Sequence, residues 1–108
     1  MRSSGTGSGR TWFTSRGSKG HKAIVDLESV VYADGALTQE HRELIATGIS
    51  IVKNCESCMQ WHIEQAAAHD ATLEEVIEAI DVAIEMGGGP ATVAARFAMD
   101  VISEVLDE

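Results

Sequence analysis

From His21 to the C-terminus, apolar residues recur at intervals of three and four, with no strand signal and no internal repeat. That spacing matches the 3.6-residue period of one helix face and points to helices packed on helices. Ile24, Leu27, Val30 and Val31 outline a first helix that should stop near Asp34-Gly35. Thr38 is placed as the N-cap of a second helix carrying Leu44, Ile45, Ile49 and Val52, with Glu40 in its first turn. Asn54 is the expected cap of a third helix through Cys55, Cys58, Met59, His62, Ile63 and Ala66. Thr72 followed three residues later by Glu75 reads as a capping box that opens a fourth helix reaching about Met86. Gly87-Gly88-Gly89-Pro90 then breaks the chain, with Pro90 set to begin a fifth helix. The expected fold class is all-α, a small bundle of about five helices.

A chain of 108 residues suits one domain. Residues 1–20, rich in Gly, Ser and Arg, lack periodicity and read as a flexible tail, so the helical domain is expected over 21–108. Within that tail, Trp12 and Phe13 are candidates for packing on a neighbouring subunit. The expected fifth helix is apolar nearly all round, through Val93, Ala94, Ala95, Phe97, Ala98, Met99, Val101 and Ile102. In so small a domain, burial on several sides calls for a second subunit, which predicts a homo-oligomer.

Charge excludes two classes of partner. From Asp26 onward the chain carries three basic residues against 17 acidic ones, a balance of −14. Such a surface repels nucleic acid and anionic lipid. No run approaches the roughly 18 apolar residues of a membrane span. The N-terminus has arginines but no apolar signal core, so the expected compartment is the cytoplasm, where thiols are kept reduced.

The chemistry of the chain concentrates in KNCESCMQWH, residues 53–62, which holds both cysteines. On a helix, positions 55, 58 and 62 fall within about 60° of arc, so both sulfurs and the imidazole share one face. A helix N-terminus favours a thiolate, and a CxxC pair can close into a disulfide within its own loop. His62 lies one turn beyond Cys58, within reach to move a proton. A partner acid for His62 is expected, and the pattern alone leaves Glu40, Glu43, Glu56 and Glu64 open. His21, His41 and His69 read as ordinary surface histidines.

Glu43, Cys55, Cys58 and His62 make the pattern E-x11-C-x2-C-x3-H. This pattern resembles the active-site motif of the alkylhydroperoxidase D-like branch of the carboxymuconolactone decarboxylase family. The similarity runs over roughly residues 22–106, including LTQEHRELIATGIS before the motif and HIEQAAAHDATLEEVIEAIDVA after it. The resemblance implies a helical subunit assembling into trimers or hexamers. It also implies a peroxidase or thiol-disulfide oxidoreductase without a cofactor, reducing hydroperoxides and reduced in turn by a lipoylated or thioredoxin-like dithiol protein. Carried onto this chain, Cys58 is the nucleophile, Cys55 the resolving thiol, and His62 with Glu43 the proton relay. Ser57 departs from some relatives, which have a histidine between the cysteines. Trp61 is expected in core or interface packing, with the lining of an apolar substrate pocket as the alternative.

Three alternatives stand beside this reading. Cys55, Cys58, His62 and Glu43 supply four groups of zinc-binding type, but the second ligand pair typical of structural zinc modules is missing. The family's decarboxylation chemistry needs an anion-binding pocket, and this body is short of arginine and lysine. A non-enzymatic redox-sensing subunit is the third.

Overall fold

The computed structural model describes residues 15–106, in four α-helices and no strand. We label them α1 (Lys19–Val31), α2 (Gln39–Val52), α3 (Glu56–Ala68) and α4 (Leu73–Val105). The chain divides into two units, residues 1–33 and 34–108. Trp12, Phe13 and most of the expected tail lie outside the described residues. No helix among those described is long and apolar enough to cross a membrane.

The first unit contains α1, capped by Ser18, whose hydroxyl accepts from the His21 amide at 3.1 Å. Its apolar residues do not form a core: none of its thirteen residues is buried.

In the second unit α2, α3 and α4 each pack against the other two. Thr38 caps α2 by accepting from the His41 amide at 3.2 Å, as its position predicts. At the start of α4 both halves of the capping box form. Thr72 Oγ1 accepts from the Glu75 amide at 3.1 Å, and Glu75 Oε1 accepts from the Thr72 amide at 2.9 Å. The core gathers Ile51, Met59, Ile63, Val76, Ile80, Ala98, Val101 and Ile102, with alanines allowing close helix approach. In the C-terminal half of α4, Ala94, Ala95 and Ala98 are buried while Val93 and Met99 stay exposed.

The expected break after Met86 is present: Gly88, at φ 70° and ψ −147°, is the single non-helical residue inside α4 and divides it into two helical segments. Pro90 follows the kink, where its missing amide costs nothing to the segment it begins. Asn54 does not cap α3; it ends α2. Its φ of 57° makes it a left-handed C′ residue, with its amide bonded to Ile51 O and the Cys55 amide bonded to Ser50 O at 2.9 Å. This is a Schellman ending, and asparagine is the residue besides glycine that adopts it most readily. Asp70, at φ 75°, ends α3 in the same way, with Ala71 N bonded to Ala66 O.

α2 also turns the expected face outward. Ile45, Ile49 and Val52 are each about half exposed, at 52%, 53% and 51%, while Glu43, Thr47 and Ser50 are buried beside Ile51. The buried hydroxyls are satisfied along the helix: Thr47 Oγ1 donates to Glu43 O at 2.9 Å, and Ser50 Oγ to Thr47 O at 2.6 Å. These bonds meet the rule that buried polar groups find partners. They leave Glu43 with its carboxylate inside the bundle.

Candidate active site

The Schellman turn that ends α2 delivers Cys55 directly to the start of α3. Cys55 is the N-cap of α3, and its Sγ accepts from the Cys58 amide at 3.3 Å. Cys55 and Cys58 are joined as a disulfide, with Cα atoms 5.2 Å apart. The CxxC loop therefore closes over the first turn of a helix, where free amides and the dipole favour negative charge on sulfur. Ser57 Oγ lies 3.8 Å from Cys55 Sγ, a hydroxyl at the sulfur where the family resemblance left room for a histidine.

His62 lies one turn beyond Cys58, on the same face of α3. Its side chain is 13% exposed, and its Nδ1 stands 2.7 Å from Glu43 Oε1, across from α2. Pairing with a carboxylate makes Nδ1 the donor, so the neutral ring carries its lone pair on Nε2. Glu43 is 2% exposed, so its charge is held away from water and directed at a single imidazole. The other candidate acids are engaged or placed elsewhere. Glu64 Oε2 accepts from Gln60 Nε2 at 2.5 Å. Glu40 meets Glu75, whose hydrogen bond with it, ahead of burial, raises the Glu40 pKa above the ordinary carboxyl range. Glu56 lies in the first turn of α3. Of the four acids the pattern leaves open, Glu43 is the one the fold brings to His62.

The remaining histidines stand apart from this cluster. His41 Nδ1 is 2.8 Å from Thr38 Oγ1 in the first turn of α2, and His69 is the C-cap of α3. Among the described residues, no three His, Cys, Asp or Glu side chains are grouped to hold a metal ion. Thr47 and Ser50 are the site's unpredicted contributors. Ser50 O anchors the Cys55 amide, and Thr47 binds the carbonyl of Glu43, so one buried polar row on α2 touches both ends of the site. Their spacing from Glu43, at i+4 and i+7, was the available signal, since it puts all three on one helix face.

Chemically, the arrangement combines a reducible dithiol at a helix N-terminus with an imidazole tied to a buried carboxylate. Comparison with known proteins agrees with the architecture. Residues 20–100 match the carboxymuconolactone decarboxylase family. A protein of the cox locus of Paracoccus denitrificans, whose role has not been characterised, is 40% identical over 83 residues, covering 77% of this chain and 75% of its own. Among solved structures, a carboxymuconolactone decarboxylase family protein from Legionella pneumophila superposes with a TM-score of 0.87 at 26% identity. That match covers 98% of this chain and 94% of the other. A family member from Thermotoga maritima, for which a part in an antioxidative response has been suggested, also gives 0.87 at 28% identity. It covers 96% of this chain and 89% of its own.

Proposed function

The chain belongs to the carboxymuconolactone decarboxylase family, and from that premise we propose that it is a thiol-dependent peroxidase that reduces hydroperoxides with Cys55 and Cys58. The observation that carries the reading is the 2.7 Å bond between His62 and the buried Glu43, one helical turn from a CxxC pair. A decarboxylase has no use for a dithiol at this point, whereas peroxide reduction needs a thiolate, a proton donor and a second thiol. The antioxidative role suggested for the Thermotoga maritima relative points the same way.

In the reduced protein, His62 Nε2 accepts the Cys58 proton while Glu43 stabilises the resulting imidazolium. The Cys58 thiolate attacks the terminal oxygen of the hydroperoxide. The O–O bond breaks, Cys58 becomes a sulfenic acid, and the alkoxide leaves as an alcohol with the proton from His62. Cys55 then attacks the Cys58 sulfur: the S–O bond breaks, the hydroxyl leaves as water with the proton from the Cys55 thiol, handed over through His62, and the disulfide forms. Its place as N-cap sets the Cys55 sulfur against the amides of the first turn, which favour the negative charge it carries as it attacks. A dithiol reductant, such as a lipoylated or thioredoxin-like protein, restores both thiols and is itself oxidised to a disulfide. The site is assigned no metal and no cofactor.

The test is peroxide consumption by the reduced protein with an organic hydroperoxide and a dithiol donor. Turnover that disappears in Cys58→Ser supports the assignment. Undiminished consumption by Cys58→Ser, or none by the unmodified protein with any dithiol, would falsify it.

A further inference from the structure

The two sulfurs of the disulfide sit in unlike surroundings, although their residues are only three apart. Cys55 is held through its backbone and its side chain alike. Its amide donates to Ser50 O at 2.9 Å, and its carbonyl accepts from the Met59 amide at 3.0 Å. Its Sγ faces two donors, the Cys58 amide at 3.3 Å and the Ser57 hydroxyl at 3.8 Å. A disulfide sulfur carries no proton, so in this state the hydroxyl is the donor. Cys58 instead lies one turn before His62, whose ring is tied to the buried Glu43. One sulfur thus faces donors fixed at the helix end, the other an acid–base pair.

We propose that the Ser57 hydroxyl, with the Cys58 amide, marks Cys55 as the leaving sulfur when a thiol reductant opens the disulfide, so that the reductant attacks Cys58. The proposal rests on the reading of the pair as a dithiol turned over by an external thiol, and it names the sulfur which that partner meets. In thiol–disulfide exchange, the sulfur that departs faster is the one whose thiolate is more stable. Donors already aimed at Cys55 Sγ meet the charge as it develops, without rearrangement. The reductant thiolate bonds to Cys58 Sγ, the Cys55–Cys58 bond breaks, and its electron pair stays on Cys55. The second thiol of the reductant, deprotonated at His62 Nε2, then attacks the reductant sulfur of the mixed disulfide. Cys58 leaves with the electron pair and takes the proton back from His62. The reductant departs as a disulfide, and Cys55 takes a proton from water. Peroxide and reductant therefore meet the same sulfur, while Cys55 stays at its place as N-cap.

The test follows disulfide opening alone, with no peroxide present. The oxidised protein is mixed with dithiothreitol, and free thiols are counted at successive times. Ser57→Ala should slow the opening by about 3- to 10-fold, the share of a charge-assisted hydrogen bond that is felt by the departing thiolate. Ser57→Thr keeps the hydroxyl and should restore most of the rate. Ser57 is exposed in the first turn of α3, so circular dichroism should be unchanged in both variants. In a Cys58→Ser background, the Cys55 thiolate, followed by its ultraviolet absorbance, should titrate at higher pH once Ser57→Ala is added. With glutathione as a monothiol and an early acid quench, tandem mass spectrometry should find the adduct on Cys58. Equal opening rates for the unmodified protein and Ser57→Ala would overturn the proposal, as would a Ser57→Thr protein as slow as Ser57→Ala. An unmoved Cys55 titration or an adduct on Cys55 overturns it too. Because no peroxide is used, failure here leaves the peroxidase reading standing. Absent peroxide turnover with the expected opening rates counts against the peroxidase reading alone.

Discussion

Glu43 and His62 meet at 2.7 Å across a separation of nineteen residues, and theirs is the contact that joins α2 to α3 at the candidate site. It exists because α2 presents its polar row, Glu43, Thr47 and Ser50, to the interior. Replacing Glu43 by Gln preserves shape and a hydrogen-bonding oxygen but removes the carboxylate that faces the His62 ring. We expect the rate of Cys58 oxidation by hydroperoxide to fall by about 10- to 100-fold, the usual effect of losing a residue that orients and polarises a working histidine. Circular dichroism should be unchanged. Stopped-flow peroxide consumption at several pH values checks this, and an unaltered pH profile would mean that Glu43 has no hold on the proton.

The two cysteines should separate by the step each serves. Cys55→Ser retains Cys58 and His62, so it should consume about one equivalent of peroxide per chain and then stop at a sulfenic acid, which a dimedone label would trap. Cys58→Ser retains the N-cap sulfur but leaves no thiol one turn from His62, and should consume almost none. A single-turnover burst from Cys58→Ser and none from Cys55→Ser would exchange the two roles.

Much of this site is legible in the sequence. Thr38, and Thr72 with Glu75, act through local hydrogen bonds, so their spacing was enough to place them. Cys55, Cys58 and His62 share a helix, so their common face follows from period alone. Glu43 was harder, since pairing it with His62 depends on which side of α2 faces inward. Ile45, Ile49 and Val52 form the aliphatic stripe of α2, yet each is about half exposed. A stripe of aliphatic residues says that a face is to be buried, but not whether by its own chain or by another. Asn54 misled for a related reason: the same short polar side chain serves as an N-cap or as a left-handed helix ending. Only the bonds to Ile51 and Ser50 tell which.

The carboxyl pair Glu40–Glu75 should leave a pH signature in stability. Its hydrogen bond with Glu75, then burial, raises the Glu40 pKa, so the contribution of Glu40 is full below its unfolded value and is lost as pH rises through the raised one. Glu75 is shifted down, first by the backbone hydrogen bond of Thr72 and then by Glu40. Its contribution is present above its unfolded value and is lost as pH falls through the lowered one. His41 nearby lowers both values, and Asp70 raises that of Glu40. Glu40→Gln donates to Glu75 without needing a proton. It should therefore lose less of its denaturation midpoint than the unmodified protein as pH rises above the ordinary carboxyl range. Parallel curves for the two proteins would show that the pair contributes no pH dependence.

The kink in α4 makes the most local prediction. Gly88 has a φ of 70° and a ψ of −147°, a region that residues with a Cβ rarely enter. A Cβ built at Gly88 meets nothing within 4 Å, so any penalty there belongs to the backbone and not to packing. Gly88→Ala should accordingly cost about 1–3 kcal/mol in chemical denaturation. Straightening the helix would not relieve it, because Pro90 in a continuous helix would collide with the carbonyl of Met86. Gly89→Ala is the matched control. It also meets nothing within 4 Å and its backbone is helical, so its cost is confined to the crowding of a Cβ against the ring of Pro90 and should be smaller than that at residue 88. Both measurements belong at one protein concentration, since any association contributes to apparent stability. Equal effects from the two alanines would mean that the kink holds no conformational demand specific to residue 88, and that α4 bends at Pro90 alone.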